Sequence, residues 1–310
     1  MIQVLGWLGR HAPLVLVVGC LIAFVFPGLA SGLRPVLPVF VALVIGTSMA
    51  RLRPGELLSG LSDTRRLLGL VLLVAVLMPV TAAVYRLLFG VMGFSNPYLE
   101  YAVILAAAPP IASAAAFCQF VGLDGRRALE VTLVATVLTP IVGPVTVSLL
   151  TPDMPAMDTV DLGLRLAAII LGGGLFATGI RTLVGPDGLT EPRKSLALDG
   201  LAAVVLILFL VPLFDGVVLR LLDNPGLGLA VLGFSVLLNV GANAAVASLT
   251  RRSIGRQGAW TLGLLWGNRN AAVYLAALPP DPGLTLFVAL YQFPMYFTPF
   301  MIKPFLGIPR

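Results

Sequence analysis

The sequence predicts an all-α membrane protein with ten transmembrane helices, arranged as two inverted repeats of five helices. Three observations predict this fold class. Of the 310 residues, 58% are hydrophobic and only 11% are charged, whereas a soluble domain carries about 25% charged residues. The apolar residues form ten runs long enough to cross a bilayer. The many Gly and Pro residues lie inside these runs, as they do in interrupted transmembrane helices.

The expected spans follow from cutting the apolar runs at charges and turn residues, because a bilayer core of about 30 Å needs roughly 20 apolar residues per helix. The connections are short, and residues 1–310 are predicted to form a single transmembrane domain. The ten spans are approximately 12–33, 35–50, 67–90, 98–122, 128–150, 161–183, 196–221, 226–249, 258–278 and 283–305. The first run could instead be a signal sequence, but it is longer than the usual apolar region of about 7–15 residues.

Basic residues concentrate in alternate connections, and cytoplasmic connections collect Lys and Arg. Arg34, Arg86 and Arg220 fall near the opposite face, and the loop 151–161 contains three Asp but no Lys or Arg. This predicts a multi-pass protein of the cytoplasmic (inner) membrane with both termini in the cytoplasm. The residues on the cytoplasmic side are Arg10, Arg51, Arg53, Arg65, Arg66, Arg126, Arg127, Arg181, Arg193, Lys194, Arg251, Arg252, Arg256, Lys303 and Arg310.

Five spans precede the acidic loop and five follow it, which makes any structural repeat inverted in the membrane. The repeats would be residues 1–151 and 160–310. Secondary transporters built from inverted repeats have a broken helix at the same position in each half, where a solute or ion binds. The third to fifth and eighth to tenth spans should form a core. The remaining four should form a panel that rocks against the core.

The fourth span is interrupted by two prolines. Pro109 and Pro110 lie in mid-span, where proline lacks an N–H and disfavours α geometry at the preceding residue. We expect the helix to break there and a second half-helix to follow near Ala112 and Ser113, with uncovered N–H groups available to an anion. A simple proline kink is the alternative for this span.

The ninth span carries polar residues near the bilayer midplane. Gly267, Asn268, Arg269 and Asn270 lie in the middle of the span, about 8–12 residues from either end,. An Arg at this depth costs about 2.5–3.5 kcal/mol on insertion scales and must face protein or water, which makes it a candidate functional residue. The two Asn add hydrogen-bonding groups and the Gly adds backbone freedom. The alternative is a structural Arg that ties helix ends together.

Three more polar residues are candidates for this region. Folding the chain about the turn at residues 124–125 places Glu130 just below the fourth-span break. There it is the expected partner of Arg269 for charge balance or proton coupling, the alternative being a solvated Glu favoured by the helix dipole. Asn239 and Asn243 lie four residues apart on one face of the eighth span. They either line the site or hydrogen-bond between helices.

The order and spacing of these motifs resemble the bile acid:sodium symporter family, whose relatives include 2-keto acid and pantoate carriers and arsenite permeases. The second span looks like the family's Met/Gly-rich helix, and the third carries its Met-Pro pair at Met78 and Pro79. The fourth span resembles the family's Pro-Gly-Gly break, and the ninth its Gly-x-x-Asn break, with Gly267 and Asn270 in matching places. The resemblance covers nearly the whole chain and implies a ten-helix secondary transporter.

The chain departs from the sodium-coupled members of that family. They carry a Glu, a Gln four residues on and then an Asn in the ninth span, and this chain has Leu265, Arg269 and Asn270. The family's third-span Gln is Val74, and its Ser-Asn pair falls among residues 114–117, which are apolar here. Sodium needs several oxygen ligands. The resemblance therefore implies the fold without supporting sodium as the coupling ion.

These features predict a secondary active or facilitative transporter that moves a small organic anion across the membrane by alternating access. We expect the Arg269 guanidinium to occupy the cation's place, balanced by Glu130, so that transport does not need sodium. The alternative in this class is a sodium-coupled symporter of a bile acid-like or keto acid anion. The expected substrate-binding residues are Ala112, Ser113, Asn239, Asn243, Asn268, Arg269 and Asn270, and the helix breaks are formed by Pro109, Pro110 and Gly267.

Other function classes find less support. A single His, His11, and two Cys are too few for a zinc site, a His-based catalytic triad or a disulfide scaffold,. An intramembrane protease would need two Asp that meet mid-membrane, but Asp199 and Asp215 lie near opposite ends of one helix. No enzyme activity, cofactor, metal or nucleic-acid partner is expected, and oligomeric state is left open. A channel or receptor remains the alternative from another class.

Overall fold

The computed structural model describes residues 2–11, 27–51, 63–152, 154, 158–185 and 191–306. Within these ranges the chain is helical and forms no β-strand. Most of the first expected span and the charged residues Arg53, Asp153 and Arg310 lie outside them. The helices are α1 (Ile2–Arg10), α2 (Pro27–Leu33), α3 (Leu37–Ala50), α4 (Thr64–Val91), α5 (Asn96–Ala107), α6 (Ala114–Phe120), α7 (Gly125–Leu150), α8 (Thr159–Val184), α9 (Pro192–Leu213), α10 (Val217–Asp223), α11 (Pro225–Gly267), α12 (Ala272–Ala277) and α13 (Pro282–Ile302).

In the described part of the chain, seven helical segments are long and apolar enough to cross a membrane. The protein is therefore an all-helical, multi-pass membrane protein. The difference from the ten expected spans has three sources. The first span lies largely outside the described residues, the fourth is divided between α5 and α6, and the eighth and ninth share α11. The seven segments are Ala30–Ala50, Thr64–Val91, Gly125–Leu150, Thr159–Val184, Pro192–Leu213, Pro225–Gly267 and Pro282–Ile302.

Helix α4 has one buried and one exposed apolar face. Leu72, Val76 and Val80 repeat every four residues and are exposed, while Val74 and Met78 are fully buried. Residues four apart lie on the same side of a helix. A continuous apolar stripe of this kind is unfavourable in water and favourable against lipid. The stripe therefore marks the lipid-facing side of α4.

Aspartate side chains cap three of the long helices. Asp63, Asp124 and Asp281 each precede a helix and accept hydrogen bonds from the backbone N–H groups of its first turn. Such a cap contributes about 1 kcal/mol to stability. The caps set where α4, α7 and α13 begin.

Helix α11 is a helical hairpin. At about 1.5 Å per residue its length would be roughly twice the bilayer core if it were straight. Gly255 interrupts it with φ 72° and ψ 172°, a conformation open essentially only to glycine. Gly263 packs on Ala247 and Gly267 on Asn243, pairs that are symmetric about Gly255. The chain therefore reverses at Gly255, and the expected eighth and ninth spans run antiparallel.

The chain forms two compact units. One contains Met1–Pro54 and Ala167–Pro225, and the other contains Gly55–Leu166 and Gly226–Arg310. The first unit includes the first, second and seventh expected spans and most of the sixth. The second unit includes the third to fifth and the eighth to tenth spans. This division groups the spans in the same way as the expected panel and core.

In the first unit, α3 and α8 pack closely through glycines. A Cβ on Gly46 would lie 2.6 Å from the carbonyl oxygen of Gly173, and a Cβ on Gly173 would lie 2.9 Å from that of Ala42. Arg181 of α8 also donates a hydrogen bond of 3.0 Å to the carbonyl of Met49 near the end of α3. The two helices are thus joined by close backbone approach and by a capped helix end.

In the second unit, an aromatic cluster joins three helices. The Phe234 ring of α11 lies 5.2 Å from that of Phe89 on α4 and 5.0 Å from that of Tyr98 on α5, centroid to centroid. Both pairs are edge-to-face, a favourable arrangement for aromatic rings. The cluster fixes α5 and α11, which carry the candidate site.

Candidate functional site

The fourth span breaks at its two prolines. Helix α5 ends at Ala107 and α6 begins at Ala114, with Pro109 and Pro110 between them. Ala108, which precedes the prolines, is extended with ψ 150°. A following proline favours this geometry, and neither proline has an N–H to continue the helix. The local sequence therefore accounts for the position of this break.

The ninth span breaks directly after Gly267. Helix α11 ends at this residue and α12 begins at Ala272. A Cβ on Gly267 would overlap the side-chain amide of Asn243 and lie 2.6 Å from the carbonyl oxygen of Asn239. Glycine is required for this close approach. It brings the break against the neighbouring arm of the α11 hairpin.

The two breaks cross and pair through their backbones. Pro110 and Arg269 form an isolated antiparallel β-bridge. The N–H of Ile111 donates to the carbonyl of Asn268 at 2.9 Å, and the N–H of Asn270 donates to the carbonyl of Pro109 at 2.7 Å. Backbone groups freed at a helix break inside a membrane must find partners within the protein. Here each break supplies the partners of the other.

Arg269 lies at this crossing and is 2% exposed. Its Nε donates to the carbonyl of Trp266 at 3.3 Å, and its Nη1 donates to the carbonyl of Ala108 at 3.0 Å. The guanidinium carbon also lies 4.4 Å from the centroid of the Trp266 ring, an attractive cation–π geometry. The two carbonyls belong to the C-terminal ends of α11 and α5, where helix dipoles favour positive charge.

Two hydrogen-bond donors at the crossing have no partner among the described residues. They are Nη2 of Arg269 and Nδ2 of Asn268, and both are buried. Arg269 also forms no ion pair with a described carboxylate. Buried donors are normally hydrogen-bonded, and a buried cation without a counter-charge is costly. Neighbouring residues thus present two donors and an unbalanced positive charge.

Ala112, Ser113 and Asn270 border the crossing and are half-buried. Ser113 precedes α6 but its hydroxyl does not cap that helix. The backbone of Asn270 takes part in the crossing, while its side-chain amide makes no hydrogen bond with the described residues. The polar ends of these two side chains are therefore available beside Arg269 and Asn268.

Asn239 and Asn243 contribute differently to the site. Asn239 donates to the carbonyl of Gly267 and, at 2.9 Å, to Oδ1 of Asn268, and it accepts from the hydroxyl of Thr298. Asn239 therefore joins helices at the break. Asn243 donates to the carbonyl of Asn239 at 2.9 Å, and its Oδ1 has no partner among the described residues. Of these two residues, Asn243 is therefore the one whose Oδ1 could accept a hydrogen bond from a ligand.

Aromatic residues hold the crossing in place, and the sequence motifs did not indicate Trp266 or Tyr274. Trp266 donates from Nε1 to the hydroxyl of Thr81 at 3.0 Å, and the Tyr274 hydroxyl donates to the carbonyl of Ala107 at 3.2 Å. The Tyr291 hydroxyl donates to the carbonyl of Gly267. The positions of Trp266 and Tyr274 within four residues of the polar break were the available signal.

Glu130 has other partners than the one expected from the sequence. Its carboxylate lies 2.5 Å from Nη2 of Arg66 and 3.2 Å from Nε of Arg126, and the residue is 1% exposed. The expected pair with Arg269 is not among the ion pairs of the described residues. The physical reason is that α4 already begins at Thr64, so its first turn carries Arg66 to the start of α7. Arg66 and Arg126 therefore balance the charge of Glu130.

Comparison with protein-family models and with curated proteins found no match for this chain.

Proposed function

We propose that this protein is a secondary transporter that binds a small organic anion at the crossing of the two broken helices. The environment of Arg269 is the main support for this proposal. It is a buried cation held by two carbonyls, with an unpartnered Nη2 and no carboxylate partner among the described residues. An anionic group at Nη2 would supply both the counter-charge and the hydrogen bond, and such charge-assisted bonds are the strong ones.

The arrangement of donors favours a carboxylate or a similar oxyanion. Asn268 follows Gly267 and precedes Arg269, and its Nδ2 is the second unpartnered donor. Two donors from adjacent residues suit a group with two acceptor oxygens. Ser113, Asn270 and the Oδ1 of Asn243 would then contact hydroxyl or keto groups elsewhere on the anion.

The proposed transport does not depend on sodium. A sodium site needs several oxygen ligands, and the carbonyls at the crossing accept from protein donors instead. The carbonyl of Ala108 accepts from Arg269, and that of Gly267 accepts from Asn239. Arg269 would take the place of a bound cation, which makes the protein a uniporter or an exchanger.

We extend the proposal to a ten-helix fold with two inverted repeats and to membership in the bile acid:sodium symporter family. Pro110 from residues 1–151 pairs with Arg269 from residues 160–310, so the broken segments of the two halves meet in an antiparallel manner. The hairpin at Gly255 supports separate eighth and ninth spans. The proposed location is the cytoplasmic membrane with both termini in the cytoplasm.

A binding screen followed by uptake would test the function. The purified protein is screened against organic anions by thermal shift with sodium or choline as the cation, and the best ligand is then tested in proteoliposomes. We expect saturable, counterflow-stimulated uptake that persists in choline. Arg269→Gln should abolish the ligand-induced shift, and the matched variant Arg252→Gln, which removes an exposed charge, should preserve it.

Each outcome of this experiment has a separate meaning. Unchanged anion affinity in a folded Arg269→Gln protein would refute the site. A strong loss of uptake in choline would refute sodium independence and favour the sodium-coupled symporter. Saturable uptake without counterflow stimulation would argue against a carrier, and non-saturating flux would favour a channel.

A further inference from the structure

A cavity of about 520 Å³ is lined by described residues of the first unit. Gly6 and Arg10 of α1 line one side. Glu191, Arg193 and Lys194, at the start of α9, line the other. None of these residues belongs to the second unit, which contains the whole crossing of the broken helices. The cavity is therefore a separate candidate site.

The lining of this cavity is positively charged. Lys194 pairs with Glu191 at 2.9 Å, which neutralises both groups. Arg10 and Arg193 have no ion-pair partner among the described residues. An anion that enters would thus meet two guanidinium groups whose charge no described carboxylate balances. Guanidinium groups bind phosphate oxygens in a planar, two-pronged geometry.

The helices that line the cavity place it at a membrane surface. Helix α1 is short and carries apolar residues ahead of Arg10, and its Val4 and Trp7 are exposed. Short amphipathic helices with an exposed Trp lie in the headgroup region. Helix α9 starts at Pro192 and continues as an apolar helix long enough to cross the membrane. The cavity is therefore expected at the depth of lipid headgroups.

We propose that this cavity binds the phosphate headgroup of an anionic phospholipid. Arg10 and Arg193 bind the phosphate oxygens, and Leu196, which also lines the cavity, provides an apolar wall for the glycerol ester region. A soluble phosphate compound would meet the same guanidinium groups, but only a lipid would also cover Leu196 and the exposed side chains of α1. The inference is independent of the anion transport proposed for the crossing.

Lipid titration of the purified full-length protein tests this site. The protein in neutral detergent is titrated with dioctanoyl phosphatidylglycerol, dioctanoyl phosphatidylcholine or glycerol 3-phosphate, and native mass spectrometry counts the bound molecules. We expect phosphatidylglycerol to bind at least tenfold more tightly than either of the other two probes. This comparison uses the unmodified chain, so it does not depend on a variant that folds.

Charge-removing variants then locate the site. A basic residue near the surface favours anionic lipid by about fivefold in affinity, so Arg10→Gln combined with Arg193→Gln should weaken phosphatidylglycerol binding by roughly 25-fold. The pair Arg251→Gln and Arg252→Gln removes the same charge from exposed positions outside the cavity and should change affinity less than twofold. Arg193→Lys keeps the charge but loses the two-pronged geometry, so it should weaken binding less than Arg193→Gln does.

Three results would overturn the proposal. Equal binding of the two lipids would show that headgroup charge is not recognised. Equal losses in the cavity and control pairs would show a general charge effect. If glycerol 3-phosphate binds as tightly as the lipid and loses affinity in the cavity pair, the cavity is a site for a soluble anion and not for phospholipid.

Discussion

Among the described residues, main-chain oxygens and no carboxylate hold Arg269. The carbonyls of Ala108 and Trp266 each accept from one of its nitrogens, and these hydrogen bonds leave Nη2 for a ligand. This separate use of the three nitrogens depends on the planar guanidinium, whose five N–H groups point in fixed directions. An ammonium group presents its three donors from one nitrogen and cannot reproduce the separate nitrogens that Arg269 uses for the two helix ends and for Nη2.

Arg269→Lys tests this geometric requirement. Lysine keeps the positive charge, but its three donors share one nitrogen, whereas Arg269 uses separate nitrogens for the two carbonyls and the anion. We expect anion affinity to fall about tenfold or more, a loss of about 1.4 kcal/mol, measured by isothermal titration with the best ligand from the screen. Arg252→Lys, at an exposed position, is the control. Unchanged affinity in Arg269→Lys would mean that charge alone suffices.

Glu130 is predicted to support stability and not anion binding. Removing its charge with Glu130→Gln would leave Arg66 and Arg126 without their partner. Because these two side chains are 42% and 57% exposed, water would compensate much of the loss, and we expect about 1–2 kcal/mol lower stability. Detergent-titrated unfolding would measure this, while anion affinity should stay the same.

The pair of Asp161 and Arg165 offers a matched comparison for Glu130. It has the same spacing as Glu130 and Arg126 and a distance of 3.0 Å, but both its side chains are about half exposed. Asp161→Asn should therefore lower stability by no more than about 0.5 kcal/mol. A change of anion affinity in Glu130→Gln without loss of stability would restore Glu130 to the binding site.

Helix α11 depends on glycines for its hairpin and for the break at its end. Gly267→Ala would place a Cβ into the space of the Asn243 side chain, and overpacking of this kind typically costs about 1–3 kcal/mol,. Gly241→Ala, on the same helix, meets no atom within 4 Å and should be neutral or stabilising, since Ala is the better helix former. Thermal unfolding of both variants gives the comparison. Equal melting temperatures would contradict the close packing.

Local features of the sequence predict the two helix breaks. They do not predict which residues that are distant in the sequence come into contact. Pro109, Pro110 and Gly267 act on the backbone within a few residues, so their effect can be derived without the fold. The partner of Glu130 could not be derived in this way. Folding the chain about a turn gives the depth of a residue in the membrane, but it does not give the side of the helix on which its side chain lies. Arg66, its actual partner, lies in a connection between the expected spans, whereas in the structure the cap at Asp63 includes it in α4.

The two compact units each draw segments from both halves of the sequence. The first unit combines Met1–Pro54 with Ala167–Pro225, and the second combines Gly55–Leu166 with Gly226–Arg310. Each unit contains one of the two candidate binding sites. The crossing with Arg269 belongs to the second unit, while the basic cavity with Arg193 belongs to the first. A variant in one unit should therefore leave ligand binding in the other unit unchanged.

The proposed orientation in the membrane rests on the distribution of charge over the whole chain. Basic residues surround position 252, whereas the segment around Met154 is acidic, and positive segments remain in the cytoplasm. The predicted sixth, seventh and eighth spans lie between these positions, and an odd number of crossings places them on opposite sides. In a background without Cys20 and Cys118, a membrane-impermeant maleimide should label Met154→Cys on intact cells. Arg252→Cys should react only after permeabilisation, and labelling of both on intact cells would contradict the predicted topology.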